Sequence, residues 1–106
     1  MSKVHVAPEA AAEFTAIFEY LLERAGLDVA EAAGEELGAA VVSLSALPER
    51  GKYPPGLLSE GITLFRGLRC SPGRIFYRVA GSEAWVVAVL DGRRDVAQLL
   101  PEGLVR

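Results

Sequence analysis

A single cysteine, a single histidine and a single tryptophan stand among the 106 residues. Alone, Cys70 can form no internal disulfide, which fits a reducing, cytoplasmic setting. Cys70 and His5 show no metal-ligand spacing, and a metal site would have to draw on carboxylates. Neither a metal nor a cofactor is expected. No apolar run approaches the roughly 18 residues of a membrane span. The opening MSKVHVAPEAAAEF lacks the charged-then-apolar pattern of a secretory signal. Internal repeats and low-complexity linkers are missing as well. These absences set aside membrane, disulfide and metal chemistry.

What is present is an ordinary globular composition, 51% hydrophobic and 24% charged, expected to form one domain over residues 1–106. A chain of this length buries roughly two-thirds of its unfolded surface, enough for one modest core. The net charge of −3 conceals an uneven distribution. Residues 1–49 hold two bases against nine acids, a balance of −7. Residues 50–106 hold nine bases against five acids, a balance of +4. Eight of those nine bases are arginine, whose planar fork of donors suits carboxylate and phosphate. Recognition therefore points to the second half.

Val4 to Val6 is short, β-branched and alternating, and reads as a strand. Ala7-Pro8 opens a helix whose apolar stripe is Phe14, Ile17, Phe18, Leu21, Leu22 and Ala25. Gly26 ends it. Asp28 and Glu31 have the spacing of a capping box for a second helix, with a stripe of Ala33, Leu37, Ala40, Val41, Leu44 and Leu47 that Pro48 stops. The short connection makes an antiparallel hairpin with its acids facing water. Pro48–Gly61 reads as a loop. Strands are expected over Ile62–Arg69, Arg74–Ala80 and Ala84–Leu90, joined by tight turns, and a short helix over Arg94–Leu100. The strand AWVVAVL is apolar on both faces, so it belongs at the centre of the sheet. The fold class is α+β: an N-terminal strand, then a two-helix hairpin packed on one face of an antiparallel sheet with a three-strand meander.

Closing the turn between Arg69 and Arg74 fixes a register in which paired positions sum to 143. It places Leu68 opposite Ile75, Gly67 opposite Phe76, Arg66 opposite Tyr77, Phe65 opposite Arg78 and Leu64 opposite Val79. Leu64, Leu68, Ile75 and Val79 then face the helices, with Arg66 and Tyr77 at their margin. Phe65, Gly67, Arg69, Arg74, Phe76 and Arg78 share the other face, which no predicted helix covers. Setting Arg69 opposite Arg74 costs about 0.2–1 kcal/mol, and a chain that accepts this expects an anion or an acidic partner there. His5 reads as an edge-strand residue, Cys70 as a turn residue and Trp85 as core.

The segment VVAVLDGRRDVAQLL, residues 86–100, carries the central strand into Arg93 and Arg94. These two reach the rim of the arginine face, with Asp91 and Asp95 placed to hold their forks.

Together, LPERGKYPP, FRGLRCSPGRIFYRV and VVAVLDGRRDVAQLL, with the hairpin spacing, resemble the RelE/ParE superfamily of bacterial type II toxins, also known as plasmid-stabilisation proteins. The resemblance spans nearly the whole chain. It implies the same order of elements, a cytosolic site of action and a cognate antitoxin, ParD-like or of another class, that wraps and neutralises the toxin. RelE-like members cut mRNA on the ribosome with lysines, arginines and a tyrosine. ParE-like members poison DNA gyrase and lack that set. Here the arginine of the cleavage pattern falls at Arg74, but its two lysines fall at Phe65 and Gly67 and its C-terminal tyrosine near Leu99 or Leu100. Cleavage needs groups that move protons, and arginine, with a pKa above about 12, is a poor shuttle. The ParE-like branch fits better, although Gly73 stands where those sequences carry an aromatic residue.

The reading is a toxin without catalysis of its own that inhibits gyrase by protein contact. It has no membrane partner and no specific DNA binding by itself. Target-binding residues are Arg93, Arg94, Arg74, Arg69 and Arg78. The antitoxin would lay an apolar helix on the hairpin or add a strand to a sheet edge, meeting Phe18, Leu22, Leu37, Val41, Phe65 and Phe76. The alternatives are a ribosome-dependent endoribonuclease and a non-toxic binding member of the family.

Overall fold

The computed structural model describes residues 3–70 and 73–91. Seven elements follow one another: β1 (Lys3–Val6), α1 (Pro8–Ala25), α2 (Leu27–Ser43), α3 (Pro55–Leu58), β2 (Arg66–Cys70), β3 (Gly73–Ala80) and β4 (Glu83–Asp91). Ala7 is extended, with its N–H donating to the Val86 carbonyl, and Pro8 takes the first helical turn. Ala10 is buried on α1, with Phe14 and Ile17 packed against the core.

Gly26 serves both helices. At φ 95° its N–H donates to the Leu21 and Leu22 carbonyls, closing α1, and its carbonyl accepts from Ala30, opening α2. A side chain there is disfavoured by the left-handed backbone. The expected capping box does not form: α2 starts at Leu27, inside Asp28, and no side chain caps it. Asp28 sits instead in the first turn, where the helix dipole favours it. The second helix also ends at Ser43, four residues before Leu47, in tightened bonds from Leu44 and Ser45 to the Val41 and Val42 carbonyls. Leu47 is exposed. The expected loop contains the short helix α3.

The sheet order is β1-β4-β3-β2, with the apolar β4 inside. β4 pairs antiparallel with β3, and β3 with β2, but β1 lies parallel to β4. The sheet is thus mixed rather than wholly antiparallel. No tight turn joins β1 to its neighbour; the chain passes through the helices and two strands first, and such a crossover permits parallel pairing. β2 begins at Arg66 and not at Ile62, so the expected pairs of Phe65 with Arg78 and Leu64 with Val79 are absent. The four pairs from Arg66–Tyr77 to Arg69–Arg74 form as expected.

A β-bulge decides which side chains enter the core. Phe76 faces Ala88 while Tyr77 faces Val86, leaving Val87 extra. Regular alternation would send Val86, Ala88 and Leu90 to one face. Instead Ala84, Val86 and Val89 join Ile75, Tyr77, Leu37 and Leu44 beneath the helices, whereas Ala88 and Leu90 pack with Phe76 on the opposite side. Val89, displaced by the bulge, sends its N–H to the Glu13 carboxylate of α1 at 3.0 Å.

Tyr77 lies at the centre of this core, not at its margin, and Leu64 and Val79 are exposed. The Tyr77 hydroxyl accepts the Gly51 N–H at 2.9 Å, and Gly51 is buried against it. Burial raises the phenol above its ordinary pKa of 10.0, with the Gly51 bond and the nearby Arg66 and Arg50 opposing. The neutral phenol is the form this fold favours, so its contribution to stability is intact below pH 10 and drains away as pH rises beyond. Tyr77→Phe, which strands the Gly51 N–H, should cost about 1–3 kcal/mol. Thermal unfolding should fall by roughly 4–8 °C per kcal/mol, and the variant should lose this phenol's share of the alkaline decline.

Candidate functional site

The sheet face turned away from the helices is built from residues that alternation places there: Gly67 and Arg69 on β2, Arg74, Phe76 and Arg78 on β3, Trp85, Ala88 and Leu90 on β4. Arg69 and Arg74 are direct cross-strand partners. The Arg74 guanidinium carbon sits 5.3 Å from the centre of the Phe76 ring, within cation–π range. Phe76 itself is only 1% exposed, and its ring covers the position of Gly67, where any Cβ would collide with ring carbons.

This face is not bare, as the sequence had implied. Leu57 of α3 and Phe65 bury together against Val87, with Ile62 beside them. The segment after Pro54 therefore folds back over part of the face. Phe65 and Phe76 are both buried, so neither is a surface contact. Leu37 is buried in the helix-side core. Of the six residues expected to meet an antitoxin, Leu22 is 41% exposed, and Phe18 and Val41 are half-buried.

Ahead of β2, residues 49–53 make a fixed corner. Lys52 pairs with Gly67 through two backbone bonds, Lys52 N–H to the Gly67 carbonyl at 3.0 Å and the reverse at 2.7 Å. Arg66 donates to the Gly51 carbonyl at 2.9 Å and to the Tyr53 hydroxyl at 3.3 Å, and stacks over the Tyr53 ring at 4.5 Å. Arg66 is thus engaged in holding the loop.

A second feature lies at the other end of the same face. His5, Trp85 and Arg78 form one cross-strand row over β1, β4 and β3. The His5 and Trp85 rings stack at 4.1 Å between centroids, and His5 Nε2 lies 2.7 Å from Glu83 Oε1. Trp85 was expected in the core but is 40% exposed, because the core positions on either side of it are Ala84 and Val86. His5 is on the edge strand as expected. Arg78 is exposed, four residues along the strand from Arg74 and so roughly 13 Å away. Cys70, expected in the turn, is the last residue of β2 and packs against the helix-side core. Burial, then Glu36, push its thiol up, with Arg50 opposing, so it is a poor nucleophile.

Arg69 and Arg74 come together as expected, while Arg78 stands apart. Arg93, Arg94 and the expected helix over Arg94–Leu100 lie outside the described residues. Among the described residues there is no cluster of His, Cys, Asp and Glu that could hold a metal ion, and no helix is long and apolar enough to cross a membrane. The sequence places Lys52 in a loop without fixing its reach; the structure pairs it with Gly67 of β2.

The family model for the ParE toxin of type II toxin–antitoxin systems, parDE, matches residues 4–96. The chain belongs to the ParE toxin family. A solved structure described as the chromosomal ParDE TA system from P. aeruginosa is similar to this ParE-family chain with a TM-score of 0.70 and 21% identity, over 86% of this chain and 96% of that one. At that identity the likeness bears on the fold, which it matches. A search of the curated proteins gives no match.

Gly73 has a structural reason in this chain. It is buried, and a Cβ on it would collide with the Leu90 carbonyl oxygen across the β3–β4 ladder. Gly73→Ala should destabilise by about 1–3 kcal/mol through the forced backbone shift. Gly38→Ala, in mid-helix with open space around it, should stabilise by roughly 0.5–1 kcal/mol. Urea unfolding of both variants should show midpoints moving in opposite directions.

Proposed function

We propose that this ParE-family protein arrests growth by binding DNA gyrase through protein–protein contact, and that a cognate antitoxin neutralises it. The observation that carries the reading is the family match over residues 4–96, which runs through the arginine face and into Arg93 and Arg94. Arg69 and Arg74, adjacent on one face, join Arg93 and Arg94 in meeting the target, with Arg78 as an outlying contact. A fork of arginine donors suits the carboxylates of a protein partner.

The antitoxin is supported by the similarity to a structure whose title names a ParDE system. On this chain the helical hairpin offers it Leu22, exposed, with Phe18 and Val41 partly so. An amphipathic helix laid across them would use the helix-in-groove mode. The protein acts as a single domain in the cytoplasm, where gyrase is.

Messenger RNA cleavage fits less well. Tyr77 is fully buried with its hydroxyl on the Gly51 N–H, out of reach of a substrate. The arginines of the face, Arg69, Arg74 and Arg78, are not suited to moving a proton.

Supercoiling by purified gyrase tests the reading. The protein should inhibit it in proportion to dose, antitoxin should restore it, and Arg93→Ala/Arg94→Ala should fold normally by circular dichroism yet inhibit at least tenfold less (about 1.4 kcal/mol of binding). Absence of inhibition at large excess, with mRNA cut in a translating extract, would replace this function with the ribonuclease one.

A further inference from the structure

Lys52 precedes the first residue of β2, Arg66, by 14 positions of chain, yet the structure fixes the direction of its side chain. Lys52 and Gly67 exchange both backbone hydrogen bonds, and residues opposed in this way point their side chains to the same face. At Gly67 that direction is toward the Phe76 ring, since a Cβ built there meets Phe76 carbons first. The neighbouring residue gives an independent check. A Cβ on Gly51 would meet the Tyr77 hydroxyl, on the helix side, so Lys52, one position on, turns to the opposite face. It is exposed there.

Lys52 therefore joins Arg69 and Arg74. Arg69 stands diagonally from it, roughly 7–8 Å between backbones, and Arg74 lies across from Arg69. Gly67 puts no side chain between them, and the Arg74 guanidinium lies over the Phe76 ring. Three anchors hold Lys52 in register: its own pair of bonds to Gly67, the Tyr77–Gly51 bond, and Arg66 on the Gly51 carbonyl.

We infer that Lys52, Arg69 and Arg74 form one composite cationic site for an acidic peptide segment of a protein partner. The inference deepens the function proposed above, in which Arg69 and Arg74 face a protein, and it names a third residue and the chemistry it reads. Two observations favour carboxylates over nucleic acid. Single-stranded nucleic acid binding uses exposed aromatic rings for base stacking, whereas the ring at this site, Phe76, is buried. The chain as a whole carries −3, which opposes a long phosphate polymer but leaves a short acidic segment free to meet a local cluster.

The test is fluorescence anisotropy of a labelled short poly-glutamate peptide with the full chain, at low and high salt. Binding should weaken with salt, and Lys52→Gln and Arg69→Gln should each weaken it about two- to fivefold, as exposed ion pairs do. Arg24→Gln, on the helical hairpin, should change nothing. Tyr77→Phe should weaken binding in the parent chain but not in the Lys52→Gln background, because its effect passes through Lys52. Unchanged affinity in Lys52→Gln, with Arg69→Gln impaired, would remove Lys52 from the site. A single-stranded oligonucleotide that binds there more tightly than poly-glutamate would overturn the partner class. Either result leaves the gyrase experiment to be decided on its own outcome.

Discussion

Side-chain alternation along β4, interrupted once at Val87, is the constraint on which the rest of the molecule depends. β4 is one of two inner strands, paired on one side to β1 and on the other to β3. It has to serve two apolar layers. The bulge lets it do so unequally: Ala84, Val86 and Val89 are given to the helices, Ala88 and Leu90 to the opposite face. Without the shift, Val89 would leave the helix-side core and its N–H would turn away from Glu13. Hydrophobic burial beneath the hairpin and the second, smaller apolar layer both follow from that one extra residue.

Because the opposite face has an apolar layer of its own, its cations are mounted on something rigid. Phe76 is buried under Arg74 and beside Gly67, and the segment carrying Leu57 and Phe65 closes over the neighbouring part. The loop that leads into this segment is held by the buried Tyr77 hydroxyl and by Arg66. A stable core on one face thereby positions charge on the other. The acids of the hairpin and the bases of the sheet give the molecule two electrically distinct sides, and such a division favours oriented association with partners.

Much of this was legible in the sequence. The 3.6-residue stripes located both helices, and the turn between Arg69 and Arg74 gave four of the five formed β2–β3 pairs correctly. The doubly apolar β4 was correctly placed inside. What escaped reading was non-local. A parallel β1 has no signature in four residues, since pairing direction depends on where the chain returns. The bulge at Val87 leaves no mark in a run of apolar residues. Trp85 was read as core although it alternates with the buried Ala84 and Val86, and Phe76 was read as surface although Ala88 and Leu90 of β4 pack against it. Val79 and Leu64 have core-like identity but lie where nothing packs on them. The reach of Lys52 was not legible because its partner, Gly67, is far along the chain. The segment with Arg93 and Arg94, where the sequence is most suggestive, lies outside the described residues.

In the function proposed, the arginine side of the sheet, and not the helical hairpin, faces the target. Dicarbonyl modification of arginines, read by mass spectrometry with gyrase present and absent, tests it most directly. Arg69, Arg74, Arg93 and Arg94 should lose reactivity when gyrase is bound while Arg24, on the hairpin, keeps it. Protection of Arg24 with Arg69 and Arg74 unchanged would contradict it.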